Sequence, residues 1–132
     1  MKNTKLLLID TTGKALFVAL VGENDVQVAP CQAEQRRHSE SLNDIAAKFL
    51  PEADAFAVVT CGDGSSWTGI RVGVVAVKAW ALATGKPIIA LGAADNETLI
   101  ATARKKFTNK DFTDVFALAP HYDSEFKVTL KK

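Results

Sequence analysis

The run CGDGSSWTGIRVG, residues 61–73, holds four of the chain's eight glycines, and it is the first place where chemistry could reside. A glycine-rich turn ahead of a helix can cradle an anion, because successive backbone N–H groups converge on it at the helix N-terminus. This run has neither the lysine of a P-loop nor the spacing of a dinucleotide fingerprint, and Asp63 would set a carboxylate against the anion. A turn that permits tight helix packing is the better reading. His38 and His121 stand alone, with no second ligand at metal spacing, and read as a helix-start residue and a turn residue. Cys31 and Cys61 lie in apolar, strand-like stretches and read as reduced, buried thiols. Ser65, His38 and Asp10 are the types a serine hydrolase needs, but no spacing supports a triad. No residue is therefore assigned a catalytic role, and no metal or cofactor is expected.

The elements that must position this run follow from periodicity. KLLLID, ALFVALV and VQVAPC are short apolar runs separated by the turn signals TTGK and GEND, an antiparallel meander of three strands. Leu42, Ile45, Ala46 and Phe49 then recur at helical spacing over 39–50, with Ser39 as N-cap and Pro51 as the stop. DAFAVVTC reads as a buried strand. From 68 to 84 the chain runs without a break signal, too long for a strand despite its valines, and Gly85 caps it as a helix. KPIIALG is a further strand. The helix DNETLIATARKKF carries acid at its start and base at its end, as the macrodipole favours. The order β-β-β-α-β-α-β-α predicts an α/β domain with a mixed sheet and crossover helices. DVFALA and the alternating EFKVTLK, with Phe126, Val128 and Leu130 on one face, predict a C-terminal β-hairpin around the turn PHYDS. The expected division is a lobe over 1–109 and the hairpin over 110–132.

On the helix over 68–84, Gly69, Gly73, Ala76 and Trp80 form a stripe of small residues beside an indole. That stripe would let another backbone approach closely, while Ile70, Val74, Val77 and Ala81 would pack on the sheet. Bulk properties agree with a single soluble domain. The chain has 132 residues, 48% of them hydrophobic, and a net charge of +1, so no overall field draws it to nucleic acid or lipid. Basic residues cluster at Arg36 and Arg37, at Arg104, Lys105, Lys106 and Lys110, and at Lys131 and Lys132, and read as solvated helix ends and a tail. The four apolar residues before Asp10 are too few for a signal peptide, so a cytoplasmic location is expected.

Four blocks of the sequence, in order, resemble the N-terminal lobe of the TsaB (YeaZ-like) family, which has the actin–sugar kinase–Hsp70 (ASKHA) fold. They are LLLIDTTGKALFVAL, HSESLNDI, GDGSSWTGIRVG and ALATGKPIIALG, and together they cover roughly residues 5–92. GDGSSWTGIRVG is the specific one, similar to the family's Gly-Pro-Gly-Ser-Phe-Thr-Gly-Leu-Arg-Ile-Gly signature. Asp63 stands where the family usually has proline, Ser66 is inserted before Trp67, and Ala119, Pro120 and His121 replace a later Asp-Ala-Arg block. Family members continue into a second lobe, of which the predicted hairpin would be the remnant.

The resemblance implies a role in making threonylcarbamoyladenosine in tRNA, as a non-catalytic partner of a TsaD-like subunit. A TsaE-like ATPase would be a further partner, tRNA would be met only indirectly, and the chain could form a homodimer. The helices starting near His38 and Thr68 would then supply the docking face, with Leu42, Ala46, Gly69, Gly73, Ala76 and Trp80 at the interface. The resemblance also places Asp10, Thr11 and Thr12 where nucleotide-binding relatives contact phosphate and metal, as a degenerate form of that motif. The alternative is a minimal ATPase using this turn and the glycine run, and nucleotide binding by the isolated chain separates the two.

Overall fold

The computed structural model describes residues 4–12, 16–29, 38–62 and 67–122. Strand β1 (Leu6–Asp10) lies at the centre of a five-stranded sheet of order β3-β2-β1-β4-β6. On one side it pairs antiparallel with β2 (Phe17–Val21), which pairs antiparallel with β3 (Val26–Val28). On the other it pairs parallel with β4 (Ala55–Val59), which pairs parallel with β6 (Ile88–Leu91). The expected mixed sheet is therefore present. Parallel neighbours need a crossover connection, and helix α2 (Trp67–Thr84) supplies it between β4 and β6.

Unbroken apolar strands imply burial on both faces, and the two faces are covered differently. Leu7, Ile9, Phe56 and Val58 point toward α2 and toward α1 (His38–Phe49), which contributes Leu42 and Ala46. Leu6, Leu8, Ala57 and Val59 point the other way, onto Leu99 and Ala103 of α3 (Asn96–Thr108). Each large side chain so buried contributes about 1.5–3 kcal/mol of transfer free energy. Phe56 is fully buried, and its ring meets that of Trp80 at a centroid distance of 5.7 Å.

Helix limits follow the anticipated signals. Helix α1 begins at His38, one residue ahead of the expected cap, so Ser39 falls within its first turn. It ends in a 3-10 turn, Leu50–Glu52, built around Pro51. Gly85, at φ 75°, closes α2 with its N–H on the Ala81 carbonyl at 2.7 Å. Helix α3 is fixed to the sheet by its own basic residues: Arg104 Nε donates to the Gly22 carbonyl at 3.0 Å, and Lys106 Nζ to the Ala90 carbonyl at 3.0 Å.

Among the described residues the expected C-terminal hairpin is not found. Its first strand, DVFALA, is instead a turn, in which Ala117 and Leu118 N–H both donate to the Asp114 carbonyl at 2.9 and 3.1 Å. Aspartate favours opening such a turn. The turn's apolar spacing also suits a helical step rather than alternation, since Val115 and Leu118 both reach the core while Phe116 is 80% exposed. A two-residue strand, β7 (His121–Tyr122), pairs parallel with β5 (Cys61–Gly62). EFKVTLK, the second predicted strand, lies outside the described residues.

Asp95 caps α3, accepting from the Thr98 N–H at 2.7 Å. That backbone bond, with the Thr98 side chain adding to it, holds the Asp95 carboxyl below the ordinary carboxylate value. A carboxyl depressed in the folded state stabilises above its unfolded pKa and loses that stabilisation as pH falls through the folded one. Asp95→Ala should therefore lower the melting temperature at neutral pH. The difference from the parent protein should close as pH is taken below the carboxylate range in a thermal-melt series.

Candidate functional site

Asp10 ends β1, and its Oδ1 accepts from the Thr12 N–H at 2.9 Å and from the Thr12 hydroxyl at 2.6 Å. The aspartate thereby closes its own turn, as the Asx geometry allows. Thr11 turns inward. It is 0% exposed, and its hydroxyl donates to the Gly69 carbonyl in the first turn of α2. A Cβ added at Gly73 would lie 2.7 Å from Thr11 Oγ1 and 3.3 Å from Val58 Cγ2. Gly73 is thus needed where α2 rests on the ends of β1 and β4. Of the three residues in the degenerate nucleotide motif, one closes a turn, one joins that turn to α2, and one donates to the first.

This geometry corrects the direction of the small-residue stripe. Gly69 and Gly73 are buried toward the sheet together with Ile70, Val74 and Val77, so the close backbone approach that they permit is made within the chain. The helix rotates this way because the Thr11 hydroxyl and the Val58 methyl need the space that only glycine leaves. Leu42 and Ala46 are likewise buried in the chain's own core. Ala76 and Trp80 are half-buried and reach the surface.

What α1 and α2 present outward is a shallow groove of about 430 Å³, bounded by Asn43 and Arg71 and lined by Val72, Val75, Ala76 and Trp80. Val75 is 65% exposed, and Leu82 further along α2 is 61% exposed. Val75 and Leu82 stand seven residues apart and so share one face of α2. Val75 and Leu82 were not singled out from sequence. The heptad spacing between them is the signal that could have found them, but it is visible only once the buried face of α2 is known.

The remaining candidates are not brought together. Cys61 is half-buried, its Sγ 3.7 Å from the Thr60 hydroxyl. His38 heads α1 and His121 belongs to β7, but the side chains of both lie outside the described residues, as do Cys31, Asp63, Ser65 and Ser66. Among the described residues no group of three His, Cys, Asp or Glu side chains could hold a metal ion. The basic cluster on α3 is divided: Arg104 and Lys106 bond to backbone carbonyls of the sheet and its turn, while Lys105 and Lys110 are exposed. Among the described residues, no helix is long and apolar enough to cross a membrane.

No protein-family model matches the sequence, and no curated protein matches it. Among solved structures, the fold is similar to "an uncharacterized protein with similarity to peptidase YEAZ from Pseudomonas aeruginosa". The identity there is 23% and the TM-score 0.61, over 82% of this chain and 50% of that one. It is similar also to YeaZ from Pseudomonas aeruginosa, at 23% identity and a TM-score of 0.57, again over 82% of this chain and 50% of that one. The chain thus spans half the length of both. The likeness shows a partial YeaZ-like fold, and the mixed sheet with its helices agrees with the fold class expected from sequence.

Gly73→Ala is expected to cost about 1–3 kcal/mol, the usual range for overpacking, because the new methyl group would press on Thr11 and Val58. Chemical denaturation followed by tryptophan fluorescence reads this directly. A loss of stability in the isolated chain marks the contact as internal.

Proposed function

We propose that this chain is a non-catalytic, activating partner of a TsaD-like subunit in the threonylcarbamoyladenosine modification of tRNA, at position 37 of ANN-decoding tRNAs. The observation that carries the reading is the apolar groove along α1 and α2, on a lobe whose fold is YeaZ-like. A partner helix laid along α2 would cover Val75 and Leu82 and pack against Trp80, which Phe56 supports from beneath. Aromatic residues backed in this way are favoured as anchors of binding energy. A docked partner activates by binding one conformation of the catalyst more tightly than another. In this reading the chain itself performs no bond-making step, tRNA meets the TsaD-like subunit, and a TsaE-like ATPase joins the assembly. In this reading the chain pairs with a second copy when its partner is absent.

Local geometry supports docking over ATP hydrolysis. The Thr11 hydroxyl and one Asp10 carboxylate oxygen are already bonded within the chain. A phosphate seated there would have to displace these bonds.

Val75→Glu should leave the fold intact, because the side chain is largely in water, and should weaken capture of a TsaD-like subunit by about 2 kcal/mol or more. Titration calorimetry with the purified subunit, beside circular dichroism of the variant, measures both. Undiminished affinity would place the interface elsewhere. Asp10→Asn, in turn, should alter no ATP turnover by the isolated chain, since none is expected. Turnover that is present in the parent and absent in this variant would establish the ATPase reading instead.

A further inference from the structure

After α3 the chain reverses at Lys110, whose φ of 56° is left-handed, and the Phe112 ring packs on that of Phe107 at 5.8 Å. The Thr113 N–H then donates to the Ile88 carbonyl at 2.7 Å, a single antiparallel bridge with β6, at the edge of the sheet. The turn opened by Asp114 follows, and it sets Leu118, 2% exposed, into the cluster formed with α1 and α2. Between Phe112 and Leu118 the segment has therefore passed from the α3 face of the sheet, round its edge, to the opposite face. Three residues later it pairs as β7 with β5, which has no other strand neighbour among the described residues.

A ladder of two residues on each side does not hold itself together in water. Its partners must be kept close by something else, and the cost of closing a loop falls as the loop shortens. Leu118 is the nearest buried anchor on the β7 side. On the other side β5 continues directly from β4 and leads toward α2, whose first turn is fixed by the Thr11 bond to Gly69.

We propose that residues 111–122 form a strap that latches β5 in place. With Leu118 seated, β7 holds β5 in place. With Leu118 withdrawn, β5 loses its pairing, while β1, β2, α3 and the Thr11-anchored start of α2 keep their structure. The device is separate from partner docking, and its test needs no partner.

Amide hydrogen exchange on the full chain, resolved to peptides, tests the strap. Leu118→Ser and, at the opposite end of the strap, Thr113→Pro should each speed exchange of Cys61 and Gly62 roughly tenfold or more, as local opening does. Protection in β1, β2 and α3 should be unchanged, and Leu118→Met, which refills the seat, should restore the parent pattern. Unchanged protection at β5 in both variants would overturn the strap. So would a uniform loss across β1, β2 and α3, which would make Leu118 an ordinary core residue.

Discussion

Helix α2 can rest on the end of β1 only because position 73 has no Cβ, and the Thr11 hydroxyl reaches the Gly69 carbonyl across that gap. This contact sets the rotation of α2 about its axis, and other features follow from the rotation. Ile70, Val74 and Val77 fall onto the sheet, Ala76 and Trp80 come to the rim, and Val75 and Leu82 are left in water. A helix turned by one residue, about 100°, would exchange these roles. The outward apolar face is thus a consequence of an inward polar bond. Residues that look like a nucleotide motif and residues that look like a docking stripe belong to one contact.

Most of the fold was legible in the sequence. Continuous apolar strands and amphipathic helices gave the right elements in the right order, and Pro51 and Gly85 marked helix ends where the structure has them. The resemblance to the TsaB (YeaZ-like) family agrees with the solved neighbours in fold. Two misreadings have physical causes. On α2 nearly every residue is apolar or small, so periodicity cannot say which stripe is buried; a polar partner in the turn after β1, Thr11, decides it. In 114–119 an apolar run of strand length serves a turn, because its valine and leucine sit three apart and an aspartate opens it. Neither fact can be read without the surface against which the residues pack.

The site was only partly legible. Ala76 and Trp80 were named and do reach the surface, whereas Leu42, Ala46, Gly69 and Gly73 are buried within the chain. Basic residues were read as solvated helix ends, and for Lys105 and Lys110 that holds. Arg104 and Lys106 instead reach backbone carbonyls of Gly22, Asp25 and Ala90, acceptors that every residue carries and that charge patterning therefore cannot reveal.

The two hydrogen bonds from Arg104 to the turn between β2 and β3 join residues 82 and 79 positions apart, and this bears on the order in which the protein can be made. The meander of β1, β2 and β3 is local and can form as soon as it leaves the ribosome, but its turn carbonyls remain hydrated until α3 has been synthesised. The same holds for β1, whose parallel partner β4 begins 49 residues later, at Ala55 against Leu6. Folding that depends on such distant pairings is slow relative to helical proteins of the same size. During translation the nascent meander therefore leaves both apolar faces of β1 without the helices, and its parallel edge without the strand, that later cover them.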